Sequence, residues 1–127
     1  MLNDKVAVVT GASRGIGKAV AKKLAAQGAL VIINYNGSKE RAEEAKQEIE
    51  ADGGKAEIYQ CNVAEFSSCE AFLGEIVKQY GRIDILVNNA GITRDGLLMK
   101  MSEEDYDAVL DTNLKGTFNC IRFAARQ

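Results

Sequence analysis

Short apolar runs alternate with segments of helical periodicity along this chain, and that alternation limits the fold more than any other feature. Residues 5–10 (KVAVVT) and 29–34 (ALVIIN) are β-branched and nearly continuous in apolar character. Such runs are typical of strands buried on both faces of a parallel sheet. Residues 56–61 (AEIYQC) and 83–88 (IDILVN) extend the series. The sequence therefore predicts four strands.

The segments between these runs have the spacing of helices. One predicted face contains Ile16, Val20 and Leu24, and another contains Ala42, Ala45 and Ile49. Glycines follow the helical segments, where a left-handed residue ends a helix at little cost; they are Gly28, Gly53, Gly54 and Gly81. Two pairs have capping-box spacing and predict the starts of the third and fourth helices: Ser67 with Glu70, and Ser102 with Asp105.

These elements predict an α/β fold with the order β-α-β-α-β-α-β-α over residues 5–114, and a further helix beginning near Thr117. Such alternation predicts a parallel sheet with helices on both faces and right-handed crossovers. The architecture is that of a Rossmann-like half. No repeat, linker or change of composition divides residues 1–127, so we expect a single domain.

Composition and charge exclude several classes of protein. A net charge of -2 does not favour nucleic-acid binding, which depends on clustered lysine and arginine. The longest apolar run, residues 29–33, is far shorter than the ~20 residues of a membrane span. The first residues lack the pattern of a signal peptide, so we expect a cytoplasmic protein.

Histidine is absent from the chain, which excludes Ser-His and Cys-His nucleophile pairs and leaves proton transfer to tyrosine, lysine or a carboxylate. The three cysteines, Cys61, Cys69 and Cys120, are odd in number and have no CxxC spacing. We therefore expect reduced, mostly buried thiols and no metal site.

The stretch TGASRGIG, residues 10–17, lies between the first predicted strand and the first helix. Gly11 allows a tight turn, while Gly15 and Gly17 allow a pyrophosphate and the helix backbone to approach closely. The helix start supplies donors and a partial positive charge. The spacing GxxxGxG departs from the usual GxGxxG, and a glycine-rich turn without a ligand is the alternative interpretation.

The end of the second strand bears on the choice of cofactor. NAD-specific sites place an acid there to bind the ribose hydroxyls, but residues 34–39 (NYNGSK) contain none. Arg14 can pair with a 2′-phosphate, since guanidinium and phosphate match geometrically. Together these features favour NADPH over NADH. If residues 34–38 are only a polar loop, the preference stays undetermined.

The motifs TGASRGIG, CNV (61–63), NNAG (88–91) and DTNLKG (111–116) resemble, in order and spacing, those of the short-chain dehydrogenases/reductases. Read alone, NNAG is equally typical of a turn whose asparagines bond their own backbone. Within the family, residues 88–118 are similar to bacterial 3-oxoacyl-acyl-carrier-protein reductases of fatty-acid synthesis. The resemblance extends over essentially the whole chain.

The resemblance implies roles for individual residues around NADP(H). Around the phosphates it places Ser13, Arg14 and Ile16. Asn62, in place of a frequent aspartate, and Val63 flank the adenine, while the nicotinamide-side ribose is lined by Asn89, Ala90 and Gly91. It also assigns Asn113 to a catalytic role, in which it kinks its helix and holds a water of the proton relay. Without the family, Asn113 is equally well read as a helix-interior asparagine bonding the backbone.

In the family a tyrosine protonates the substrate carbonyl, a lysine four residues later lowers the tyrosine pKa, and a serine orients the carbonyl. The only Tyr-x-x-x-Lys spacing here, Tyr35 with Lys39, follows the second strand at the adenine end and is interpreted as coincidental. Residues 120–127 (CIRFAARQ) end without a helix stop signal. We therefore expect an N-terminal, cofactor-binding half that is inactive alone.

The partner implied by the resemblance is a 3-oxoacyl-acyl-carrier protein, with Arg122 and Arg126 as candidate docking residues. It also implies a homo-oligomer, usually a tetramer. We expect the fourth strand at a sheet edge, where unpaired apolar strands promote association. A non-catalytic NADP(H)-binding module and a reductase for another ketone or alcohol are the alternative functions.

Overall fold

The structure, a computed structural model, describes residues 2–89 and residue 120. Its strands are β1 (Val6–Val9), β2 (Leu30–Tyr35), β3 (Lys55–Gln60) and β4 (Ile85–Val87). Its helices are α1 (Gly15–Ala26), α2 (Lys39–Ala51) and α3 (Phe66–Tyr80). The predicted alternation is therefore confirmed over these residues. The Ser102–Asp105 capping pair and the helix near Thr117 lie outside them.

The four strands form one parallel sheet in the order β3-β2-β1-β4. Each strand lies within two residues of its predicted ends, and the shortest, β4, begins two residues late. Asp84, just before β4, accounts for this start: its side-chain Oδ2, and not a backbone carbonyl, accepts from the N–H of Val6 at 2.8 Å. Among the described strands β4 pairs only with β1, which is the predicted edge position.

The sheet has a hydrophobic layer on each face. Ala7, Val9, Val31 and Ile33 pack beneath α1 and α2, whereas Val6, Val8 and Ile32 pack against α3. Successive residues of a strand point to opposite faces, so nearly continuous apolar runs supply both layers. Helices on both faces of a parallel Rossmann-like sheet are thus confirmed.

The buried line of α1 differs from the predicted one. It consists of Gly17, Ala21 and Ala25, while Val20 and Leu24 pack only partly against the core and Ile16 is 78% exposed. Small residues on the buried line let the helix lie close to the sheet. The face predicted for α2 is confirmed, since its buried residues are Ala42, Ala45 and Ile49.

The helix stops were predicted correctly, but one start was not. Gly81 ends α3 in the left-handed conformation with φ 82°, and its N–H donates to the Val77 carbonyl at 2.8 Å. Ser67, predicted as a cap, lies inside α3, which begins at Phe66. Asn62 turns the chain earlier, because its side-chain oxygen accepts from the N–H of Ala64 and its carbonyl from that of Glu65.

Neither a membrane-spanning helix nor a metal-binding cluster occurs among the described residues. In the part of the chain that the structure describes, no helix is long and apolar enough to cross a membrane. Across residues 2–89 and 120, no group of three or more His, Cys, Asp or Glu side chains is placed to hold a metal ion.

Candidate functional site

A cavity of about 630 Å³ opens at the carboxyl ends of β1, β2 and β3. Cavities of this size are in the range that small-molecule ligands occupy, and this edge of a parallel sheet is where they bind. The lining comes from four separate segments and consists of Gly11, Ser13, Arg14, Gly15, Asn34, Asn36, Gly37, Ser38, Arg41, Cys61, Asn62, Val63 and Asn89.

The first wall is the loop between β1 and α1. Gly11 and Gly15 have φ values of 62° and 61°, which residues other than glycine rarely adopt. Arg14 is the N-cap of α1, but its side chain makes no capping hydrogen bond, and the first turn carries no acidic residue. The first backbone N–H groups of a helix have no partner within it. Among the described residues, no anion neutralises the positive end of α1 where it meets the cavity.

Asn89 holds this loop from the side of β4. Its Nδ2 donates to the Gly11 carbonyl at 3.0 Å, and its backbone N–H donates to Thr10 Oγ1 at 3.0 Å. Gly17 leaves the space for this contact, since a Cβ there would lie 2.3 Å from Asn89 Nδ2 and 2.6 Å from the Gly11 carbonyl oxygen. Gly17 thus lies behind the cavity wall.

The floor of the cavity contains a buried amide. Asn34 is 2% exposed, its Oδ1 accepts from the N–H of Gly11 at 3.1 Å, and its Nδ2 donates to the Cys61 carbonyl at 3.1 Å. Its own carbonyl accepts from the N–H of Ala12. Asn34, the penultimate residue of β2, therefore binds the chain just past both neighbouring strands.

The far walls supply polar groups and a second cation. Ser38 caps α2 by accepting from the N–H of Arg41 at 3.3 Å, which places Arg41 in the first helical turn beside the cavity. Arg14 lies on the opposite loop. No carboxylate is among the described residues that line the cavity. Its charge therefore favours an anionic ligand.

The three cysteines are free, buried and adjacent, as predicted for reduced thiols. The Sγ atoms of Cys69 and Cys120 lie 3.6 Å apart. The hydrogen bond with Cys120, together with burial, raises the pKa of the Cys69 thiol to about 12. The pKa of the Cys61 thiol is also raised, mainly by its hydrogen bond with Cys69 and secondly by burial. Cys61 is one of the residues that line the cavity. Cys61 and Cys69 are therefore unsuited to act as nucleophiles near neutral pH.

Seven of the predicted site residues line this one cavity: Gly11, Ser13, Arg14, Gly15, Asn62, Val63 and Asn89. Ile16 and Gly17 do not, because the first projects into solvent and the second is covered by Asn89. Ala90, Gly91 and Asn113 lie outside the described residues.

The structure adds residues that the sequence prediction did not select. From the sequence, Asn34 is only part of a polar loop, and Arg41 and Cys61 have no predicted role in the site. Ser38 before a helical segment was the available signal for the start of α2 near Arg41. Tyr35 and Lys39 are absent from the lining: Tyr35 packs against the core, and Lys39 Nζ lies 4.0 Å from Glu43 Oε1.

Comparison with known proteins gives a consistent result. The family model for short chain dehydrogenase matches residues 5–127. The chain is 54% identical over 127 residues to the 3-oxoacyl-[acyl-carrier-protein] reductase FabG of Staphylococcus aureus, covering 52% of that protein. It is 48% identical over 125 residues to the 3-oxoacyl-[acyl-carrier-protein] reductase of Synechocystis, covering 51%. The chain therefore spans about half the length of these relatives.

Solved structures agree in fold. A metagenomic short-chain oxidoreductase in complex with NADP has a TM-score of 0.94 and 40% identity, with 98% of this chain and 57% of that chain covered. A short chain dehydrogenase of Burkholderia cenocepacia in complex with NADP has a TM-score of 0.93 and 43% identity, with 99% and 51% covered.

Proposed function

Since the chain belongs to the short-chain dehydrogenase family, we propose that the cavity at the carboxyl ends of β1, β2 and β3 binds NADP(H). The observation that carries this proposal is the uncapped, acid-free start of α1 facing a cavity lined by two arginines and no described carboxylate. Backbone donors, a helix dipole and guanidinium groups are the chemistry that holds a pyrophosphate and a further phosphate. Both solved relatives named above were crystallised with NADP.

Each wall of the cavity has a part in this proposal. The loop of Gly11, Ser13, Arg14 and Gly15, with Ile16 beside it, holds the phosphates. Asn62 and Val63 lie beside the adenine, and Asn89 lies towards the nicotinamide half with its neighbours Ala90 and Gly91. The bound cofactor supplies a hydride, and the chain's own residues bind and orient the cofactor.

The preference for NADPH over NADH is part of the proposal. Arg14 or Arg41, or both, bind the 2′-phosphate, since both side chains border the same cavity. A carboxylate at the end of β2 would repel that phosphate, and residues 34–39 contain none. Lys39 is the only charged residue in that segment, and it is a cation.

The proposed reaction of the full-length protein is the NADPH-dependent reduction of 3-oxoacyl-[acyl-carrier-protein] to the 3-hydroxyacyl form. Support comes from the two relatives of that name, at 54% and 48% identity. Asn113 is the catalytic residue proposed within this chain. A homo-oligomeric state also stays a prediction.

We expect these 127 residues to bind the cofactor without turning over substrate. Reduction of a ketone needs a proton donor beside the hydride, and the described lining contains neither tyrosine nor lysine. Tyr35 and Lys39 are occupied elsewhere, in the core and beside Glu43.

Fluorescence titration with NADPH and NADH, followed by NADPH oxidation with a short 3-oxoacyl thioester, tests the proposal. We expect NADPH to bind more tightly than NADH, and Arg14→Ala to reduce the difference. Tighter binding of NADH would contradict the cofactor assignment. Turnover well above a protein-free blank would show that a residue of this chain donates the proton. NADPH binding by a gene product that ends at residue 127 would favour a non-catalytic binding module.

A further inference from the structure

Asn34 is a buried side chain whose two polar atoms bind different segments of the cavity. Its Oδ1 accepts from Gly11 in the loop after β1, and its Nδ2 donates to the carbonyl of Cys61 just past β3, each at 3.1 Å. At 2% exposure the amide has little contact with water. Buried amides of this kind are strongly oriented, because losing either bond leaves an unsatisfied buried group.

The position of β2 in the sheet explains why this residue can make both bonds. β2 lies between β1 and β3, so its carboxyl end has one strand end on each side. The backbone reinforces the same connections: the N–H of Ala12 donates to the Asn34 carbonyl at 3.1 Å, and the N–H of Cys61 donates to the Tyr35 carbonyl at 2.9 Å. The side chain of Asn34 therefore adds hydrogen bonds between the same three segments to those that the backbone makes.

We propose that Asn34 is a positioning residue that fixes the distance between the phosphate-binding loop at Gly11 and the adenine-side segment at residues 61–63. This inference rests on the proposed binding of NADP(H). A dinucleotide contacts both segments at once, so its affinity includes the advantage of having the two half-sites already spaced correctly. Asn34 touches the two walls and acts on the cofactor through them.

Two substitutions separate this role from simple support of the fold. Asn34→Leu keeps the number and branching of the side-chain atoms and removes the hydrogen bonds to both walls. Asn34→Ala removes the same hydrogen bonds with a smaller side chain and, unlike an aspartate, adds no charge to the cavity. The control is Asp84→Ala, because Asp84 also binds a strand through a side chain, accepting from the N–H of Val6 at 2.8 Å, but at the opposite end of the sheet.

The test compares a whole ligand with its two halves. NADPH spans both segments, whereas inorganic pyrophosphate needs only the loop and adenosine only the adenine-side wall. Dissociation constants are measured for the 127-residue chain by nuclear magnetic resonance titration, with folding checked from the same spectra. In Asn34→Leu we expect the NADPH dissociation constant to rise about tenfold or more, and those of the two halves to change less than about threefold.

Asn34→Ala is expected to weaken NADPH in the same pattern, and it decides the matter if Asn34→Leu does not fold. Asp84→Ala is expected to lower the melting temperature and leave all three dissociation constants unchanged. The inference is overturned if NADPH is bound as tightly by both Asn34 variants as by the unsubstituted chain, or if the half-ligands weaken as much as NADPH does. Failure of the unsubstituted chain to bind NADPH would overturn the proposed function, and this inference with it.

Discussion

Asn89 and Gly11 are joined by a 3.0 Å hydrogen bond from the asparagine Nδ2 to the glycine carbonyl, across the gap between the chain segments that follow β4 and β1. Gly17 lies against both groups. The loop between β1 and α1 is therefore held on this side by Asn89 and on the other by Asn34, so its shape depends on both neighbouring strands.

Gly17→Ala is predicted to reduce both stability and NADPH affinity. The added Cβ would come within 2.3 Å of Asn89 Nδ2 and 2.6 Å of the Gly11 carbonyl oxygen, which is backbone and cannot rotate away. Overpacking of this kind costs about 1–3 kcal/mol. Urea denaturation gives the free energy of unfolding, and fluorescence titration gives the NADPH dissociation constant.

Gly74→Ala is the matched control, since Gly74 is also inside a helix but has no atom within 4 Å of the Cβ position. There we expect a gain of about 0.5–1 kcal/mol from the better helix propensity of alanine, with unchanged NADPH binding. Equal stability changes in the two variants would contradict the close contact between Gly17 and Asn89.

Arg41→Ala is predicted to weaken NADPH by about tenfold while leaving NADH unchanged, because the loss of a charge-assisted hydrogen bond affects only the ligand with the 2′-phosphate. Lys39→Ala is the control: Lys39 is also a cation in the first turn of α2 but does not line the cavity. Parallel titrations of both variants with both cofactors make the comparison. Equal losses for NADPH and NADH would assign Arg41 to general cofactor binding.

Asp84 is predicted to make the free energy of unfolding depend on pH in the acid range. The hydrogen bond from Arg82, and then that from the N–H of Val6, lower the pKa of the Asp84 carboxyl below its ordinary value of 3.8. Folding therefore favours the ionised form, so the stabilisation is complete above pH 3.8 and is lost as the pH falls through the lower, folded-state pKa.

Urea denaturation of the unsubstituted chain and of Asp84→Asn, between about pH 2 and pH 6, measures this dependence. The stability advantage of the aspartate should shrink at the acid end. Glu70→Gln, at an exposed position of α3, controls for the general effect of removing a carboxylate. A constant difference between the chain and Asp84→Asn over the whole range would contradict the lowered pKa.

The buried thiols are predicted to resist alkylation in the folded chain. With a pKa of about 12, Cys69 has a thiolate fraction on the order of one in ten thousand at pH 8. Mass spectrometry after treatment with iodoacetamide should find the native cysteines unmodified until urea unfolds the chain. A thiol introduced by Ser67→Cys, at an exposed position of the same helix, should react rapidly. Reaction of Cys69 at a similar rate without urea would contradict this.

The strands could be predicted because burial on both faces forces nearly continuous apolar sequence. Val8 and Ile32 face one hydrophobic layer, and Val9 and Ile33 face the other. Consecutive residues in the middle of each strand are therefore all apolar. The start of α3 could not be predicted equally well. The spacing of Ser67 and Glu70 matches a cap, but the earlier turn at Asn62 had already started the helix by Phe66.

The site was predictable where glycine spacing or family motifs marked it, and less so where it depends on strand pairing. Gly11 and Gly15 were identified by their positions after a strand. An asparagine at residue 34 looks like any polar residue at a strand end, and its partners, Gly11 and Cys61, are 23 and 27 residues away. Only the order of the strands brings them within hydrogen-bond distance.

The parallel arrangement of the sheet separates two kinds of residue by location. Asp84 and Val6 are joined at the amino ends of the strands, whereas Asn34, Asn89 and the glycine-rich loop meet at the carboxyl ends. Protein engineering can exploit this division. Libraries that seek higher thermal tolerance can be confined to the amino ends, while libraries that seek altered cofactor use can be confined to the opposite rim, and gains from the two can then be combined.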